Sequence, residues 1–137
     1  MKCSKYKEIY QSFIKHKDTF HKFANDPKND SLYEDWCEHT HTCSACSDWK
    51  MVQSLEERDV DWKKYPCVHL AYQSISECDQ HPNPWDCPDN VIVLDKKKNF
   101  GIPVRNGEEG SAFSMIGIDF CPWCGEKIPG RPNLKLL

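Results

Sequence analysis

Cysteine and histidine are the residues of this chain whose type and spacing could do chemistry. There are nine Cys and six His in 137 residues. His39, Cys43 and Cys46 form an H-x3-C-x2-C pattern, and Cys121 and Cys124 lie within Phe120-Cys121-Pro122-Trp123-Cys124-Gly125. Cys67, Cys78, His81 and Cys87 stand between these motifs. Zinc takes four nitrogen or sulfur donors in a tetrahedron, and this inventory suits it. Disulfides would need an oxidising compartment. The opening residues MKCSKYKEIYQSF carry no apolar stretch of a secretory signal, and the number of Cys is odd. Metal ligation in a reducing, cytoplasmic setting is therefore the expectation. The longest dense apolar run, 91–94, is far too short to span a membrane.

The spacing suggests which donors share an ion. On a helix, offsets of four and seven residues return to nearly the same face, so His39, Cys43 and Cys46 can approach one metal. Cys37 and His41 fall on the opposite face and are excluded. A simple core stripe is the competing reading, since Cys buries readily as a small hydrophobe. In C-P-x-C-G, a tight turn aims both sulfurs at one point, and Gly125 permits the backbone conformation that follows. A redox CxxC would need a helix starting at its first Cys, which Pro129 leaves little room for. Cys67 and Cys78 would lie about 16 Å apart on one helix. They are therefore expected at different ions. The candidate partners of the Cys121/Cys124 knuckle are Cys78, His81 and Cys87, with Cys67 and His69 further upstream. Cys67 is assigned to complete the set of His39, Cys43 and Cys46; Cys78 and Cys87 join Cys121 and Cys124, with His81 as the substitute. The expectation is two structural zinc ions, with Cys3 and Cys37 left over.

The elements that must position these donors read as follows. Tyr6, Ile9, Tyr10, Phe13, Phe20 and Phe23 recur at helical steps and predict an amphipathic helix over 1–24. Asn25-Asp26-Pro27 ends it, and Ser31 with Glu34 forms a capping box. A second helix is expected from there to about Arg58, either continuous or broken at Ser47-Asp48. A third is expected over 66–78, opened by Pro66. Residues 79–90 hold three Pro and read as a loop. Three β-type runs follow, 91–94, 102–105 and 112–118, with turns at 96–101 and 106–110. They predict a small antiparallel sheet, whose middle run must tolerate Pro103. The tail from Pro129 reads as loosely held.

Composition bounds the function. With 18 Lys+Arg against 21 Asp+Glu the formal charge is −3, which excludes a strongly basic nucleic-acid binder. Hydrophobic residues make up 39%, nine of them Cys, and mean hydropathy is −0.74. Such a core is thin for the length, and metal binding is expected to supply the missing stability. Lys96-Lys97-Lys98 reads as a solvated hairpin tip. Trp36, Trp49, Trp85 and Trp123 lie close to the ligands in sequence and are expected to pack around them. Asp86 and Asp89 suit backbone hydrogen bonds better than catalysis. There is no phosphate loop, nucleophile elbow or H-E-x-x-H.

Two resemblances add to this reading. His39-Thr40-His41-Thr42-Cys43-Ser44-Ala45-Cys46 resembles the zinc-binding helix of anti-sigma factors, which implies metal binding far more than sigma-factor binding. Residues 67–129 resemble an uncharacterised family of short bacterial and phage zinc-knuckle proteins. The matching pieces are the stretch from Cys78 through His81-Pro82-Asn83-Pro84-Trp85-Asp86-Cys87-Pro88 to Asp89, then Phe100-Gly101-Ile102, Asn106-Gly107, Ser111 and the Phe120–Gly125 motif. That resemblance implies a zinc-stabilised α+β unit, and by analogy a host-takeover or anti-defence inhibitor.

The expected fold class is α+β. A helical N-terminal region, 1–65, precedes a zinc-ribbon-like region, 66–137, with a three-stranded antiparallel sheet, and the two could form one compact domain. The expected function is non-enzymatic recognition of a protein partner that the chain regulates or inhibits. The alternatives are a nucleic-acid-binding zinc ribbon acting in transcription and, behind it, a zinc-dependent hydrolase.

Overall fold

The structure is a computed structural model, and it describes residues 1–75, 78, 80–105 and 112–129. The chain divides into two compact units, Met1–Val60 and Asp61–Leu137.

The first unit is helical. Helix α1 spans Cys3–Ile9, a π-helical turn spans Tyr10–Ile14, and α2 spans Lys17–Asn25. The single helix expected over 1–24 is thus broken. Lys15 N–H donates to the Tyr10 carbonyl at 2.9 Å, closing the wide π turn, and His16 is extended (φ −106°, ψ 134°). The break brings Phe13 onto Phe23 as a stacked pair with centroids 4.9 Å apart. In a straight helix ten residues would separate them by about 15 Å, so the pair requires the chain to fold back. After a 3-10 turn at Pro27–Asn29, α3 spans Asp30–Thr42 and α4 spans Ser44–Glu57. The expected break near Ser47 falls instead at Cys43, which is extended (φ −111°, ψ 100°). The core of this unit is Tyr6, Ile9, Tyr10, Phe23, Trp36 and Cys46. Tyr6 stacks flat on Trp36 at 4.7 Å, and Trp49 meets Tyr10 edge-on at 5.3 Å.

The second unit is mixed. A 3-10 turn at Trp62–Lys64 leads to α5, Val68–Ser74, which begins one residue after Cys67 and is shorter than the expected 66–78. Cys78 therefore lies beyond this helix, not on it. Strands β1 (Val93–Leu94), β2 (Phe100–Arg105) and β3 (Ala112–Gly117) form an antiparallel sheet in that order. The fold class is α+β, as the sequence implies. Strand β1 is shorter than the expected run, and β2 starts two residues earlier because Phe100 and Gly101 pair with Leu94 and Val93. That short partner accommodates Pro103. Strand β1 reaches only Gly101, so β2 has an open edge at the proline. The register shifts at Val104/Arg105. Leu70, Ile92, Phe100, Cys121 and Ile128 form the core of this unit. The expected turn at 106–110 and the tail after Pro129 lie outside the described residues.

Candidate metal centres

Three groups of Cys and His converge, each with donor atoms within 4.8 Å of one another. The first is Cys3, His39, Cys43 and Cys46. Helix α1 delivers Cys3, α3 delivers His39, and the joint between α3 and α4 delivers Cys43 and Cys46. Cys3 Sγ stands 3.9 Å from Cys43 Sγ and 3.8 Å from His39 Nε2, which stands 3.3 Å from Cys46 Sγ. Zinc bond lengths of about 2.3 Å to sulfur and 2.05 Å to nitrogen give tetrahedral edges of about 3.8 and 3.6 Å. A disulfide would need its sulfurs about 2.05 Å apart, and all nine cysteines are free thiols. Donors at this spacing could hold a metal ion. Burial pushes the Cys46 thiol up to about 12, with Cys3 and Cys43 adding to the rise. Cys43 is lowered, first by the Cys46 backbone amide at the start of α4.

The second group is Cys67, His69, Cys121 and Cys124. Cys121 and Cys124 occupy a small hairpin. Gly125 N–H donates to the Cys121 carbonyl at 2.9 Å, Cys121 N–H to the Glu126 carbonyl at 2.8 Å, and Phe120 bridges Lys127. Trp123 N–H donates to Cys121 Sγ at 3.4 Å. Gly125 sits at φ +76°, where a side chain would be strained. Cys67 is extended just ahead of α5, and His69 lies in its first turn. Burial pushes the Cys67 thiol up to about 12.

The third group is Cys78, His81 and Cys87, with Cys78 Sγ 3.4 Å from His81 Nδ1. Its loop is tightly tied. Asn83 Oδ1 accepts from Trp85 N–H, Asn90 Nδ2 donates to the Pro84 carbonyl, and the Arg105 guanidinium donates to the carbonyls of Trp85 and Asn90. Hydrogen bonding to His81, and then to the Gln80 amide, lowers the Cys78 thiol from its ordinary value.

Every donor position picked from the sequence lies in one of these groups, but the partition differs. Cys67 stands with Cys121 and Cys124 rather than with His39, and Cys3 takes the place assigned to it. Cys78 and Cys87 stand with His81, apart from the knuckle. The expected partition rests on a helix over 66–78, and α5 contains neither cysteine. Cys3 is left over in the sequence reading, and His69, an upstream candidate for the knuckle there, is not among its chosen donors, yet both stand in these groups. Cys3, itself exposed, precedes the buried Tyr6 and Tyr10 at helical steps, and His69 forms C-x-H with Cys67, so both carry a readable signal. The packing expected of the tryptophans divides: Trp36 is buried over His39's neighbour Tyr6, whereas Trp123 is 44% exposed.

The C-terminal half matches a family described as a domain of unknown function, DUF6980, over residues 64–134, just over half of the chain. The chain belongs to the DUF6980 family. The match takes in the second and third donor groups whole and leaves the first outside it. No curated protein and no solved structure matches the chain. No helix among the described residues is long and apolar enough to cross a membrane.

Proposed function

We propose that this DUF6980 protein is a zinc-stabilised, non-enzymatic recognition protein that works in a reducing compartment by binding and regulating a protein partner. The observation that carries the zinc reading is the four-donor composition of the first two groups. Each offers three Cys and one His, a closed structural set that leaves no position for substrate. Each also joins segments distant in sequence, Cys3 to 39–46 and Cys67 to 121–124, so an ion in either clamps its unit.

The partner reading rests on the exposed face of the sheet. Ile102 and Val104 of β2 are each 43% exposed, and Ile116 of β3, paired with Ile102, is 62% exposed. Phe120 and Trp123 are also exposed. These exposed positions are all apolar, and Arg105 of β2 donates to the loop carbonyls of Trp85 and Asn90. An apolar face favours a protein over a phosphate backbone. The test pairs wild type with Ile116→Asp. Stoichiometric capture of a host protein by wild type, lost in the variant with its helical and sheet signals intact, supports the reading. Salt-sensitive DNA or RNA binding abolished by alanine at Lys96, Lys97 and Lys98 would replace it with the nucleic-acid reading.

A further inference from the structure

The third group differs in kind from the other two. Among the described residues it offers three donors, two Cys and one His, where the others offer three Cys and one His. Cys87 is buried, while Cys78 and His81 are half-buried, so one side of the set is reachable from solvent. The loop that carries Cys87 is held in place without any metal. Cys87 N–H donates to the Pro84 carbonyl, Asn90 N–H to the Cys87 carbonyl, and Arg105 of β2 ties the carbonyls on both sides of it. A preorganised loop does not depend on a fourth protein ligand to acquire its shape.

We propose that Cys78, His81 and Cys87 bind a third zinc ion whose fourth position is exchangeable and accepts a low-molecular-weight thiol. This rests on the zinc reading of the first two groups. Two thiolates and a neutral imidazole cancel the charge of Zn2+, so the centre is neutral with one position for water. One further thiolate gives it the three-sulfur, one-nitrogen composition that the other two groups already have. Binding breaks the metal–water bond, forms a metal–sulfur bond, and releases the thiol proton to solvent; nothing is oxidised or reduced.

The experiment uses the full chain loaded with Co2+ under a phosphine reductant, with 2-mercaptoethanol as the probe. Native mass spectrometry should count three ions. Added 2-mercaptoethanol should raise the sulfur-to-cobalt charge-transfer band by one metal–sulfur bond's intensity. Cys87→Ser and, at the more exposed position, His81→Ala should each lower the count to two and abolish the response. Two ions in wild type would overturn this proposal and leave the reading of the first two groups standing, whereas no ions would remove both. Three ions with no response to the thiol would also overturn it. So would a response that appears only in Glu77→Gln or Asp79→Asn, since a carboxylate of the chain would then fill the fourth position.

Discussion

Cys3 and Cys37 are both left over in the sequence reading, and the structure separates them. Cys3 stands within 4 Å of two other donors, while Cys37 packs against the core and belongs to none of the three groups. Cys3→Ser should therefore lose one bound ion by native mass spectrometry and Cys37→Ser none; equal counts would sink the first group. Tyr6 braces the same site from beneath. Its ring lies on Trp36 and against His39, and its hydroxyl makes a 2.8 Å bond with Thr40 Oγ1. Tyr6→Phe should cost about 1 kcal/mol, read from denaturant midpoints, because Thr40 keeps its bond to the Trp36 carbonyl. At Gly125 the φ of +76° makes Gly125→Ala strained although there is space for the methyl group. A loss of about 1 kcal/mol or more is expected there.

At the scale of elements, two devices hold the sheet in register. Strand β3 crosses β2 so closely at Gly101 that an added Cβ would lie 2.9 Å from the Ile116 carbonyl and 2.5 Å from Met115 Sδ. Gly101→Ala should destabilise by roughly 1–3 kcal/mol, and Met115→Ala should rescue it only in part, since the carbonyl cannot retreat. In the β1–β2 turn, the Asp95 carboxylate accepts from the amides of Lys97 at 2.9 Å and Asn99 at 2.8 Å. These bonds, Asn99's foremost, hold its carboxyl below the ordinary 3.8. A depressed folded value means the turn is supported above about pH 3.8 and loses that support as pH falls through the lower value. Amide exchange at Asn99 should quicken in Asp95→Ala at pH 6, and the difference from wild type should shrink as pH falls through the lowered value of the Asp95 carboxyl. An unchanged rate at pH 6 would refute the role. The helical elements teach a related lesson. The H-x3-C-x2-C donors meet at a joint between α3 and α4, where an extended Cys43 does the aiming, rather than along one continuous helix face.

For the molecule as a whole, each compact unit has a small apolar core with cysteines built into it: Cys46 in the first, Cys121 in the second. A structural zinc contributes on the order of 10 kcal/mol of apparent binding energy, comparable to the entire stability of a small domain. In the full chain, Cys43→Ser should lower the helical circular-dichroism signal of Met1–Val60 while the sheet amides stay protected from exchange. Cys121→Ser should do the reverse. If the reduced, metal-free chain retained full protection in both units, zinc would not be what stabilises them.

Sequence alone determined the chemistry and the kinds of element. Donor types, the tight C-P-x-C-G turn and apolar periodicity are local, and local sterics and helical geometry suffice to read them. Phe120–Gly125 could be placed on a turn and Tyr6, Ile9 and Tyr10 on one buried helix face for that reason. Which donors share an ion was decided only by tertiary structure. The ends of α1 and α5, the π turn at Tyr10–Ile14 and the break at Cys43 carry no strong local signal. In the first unit they go with aromatic packing, Phe13 on Phe23 and Tyr6 on Trp36, and Cys3 meets His39 across the chain. With one helix ending short of Cys78, the donors fall into three candidate groups among the described residues rather than the two expected.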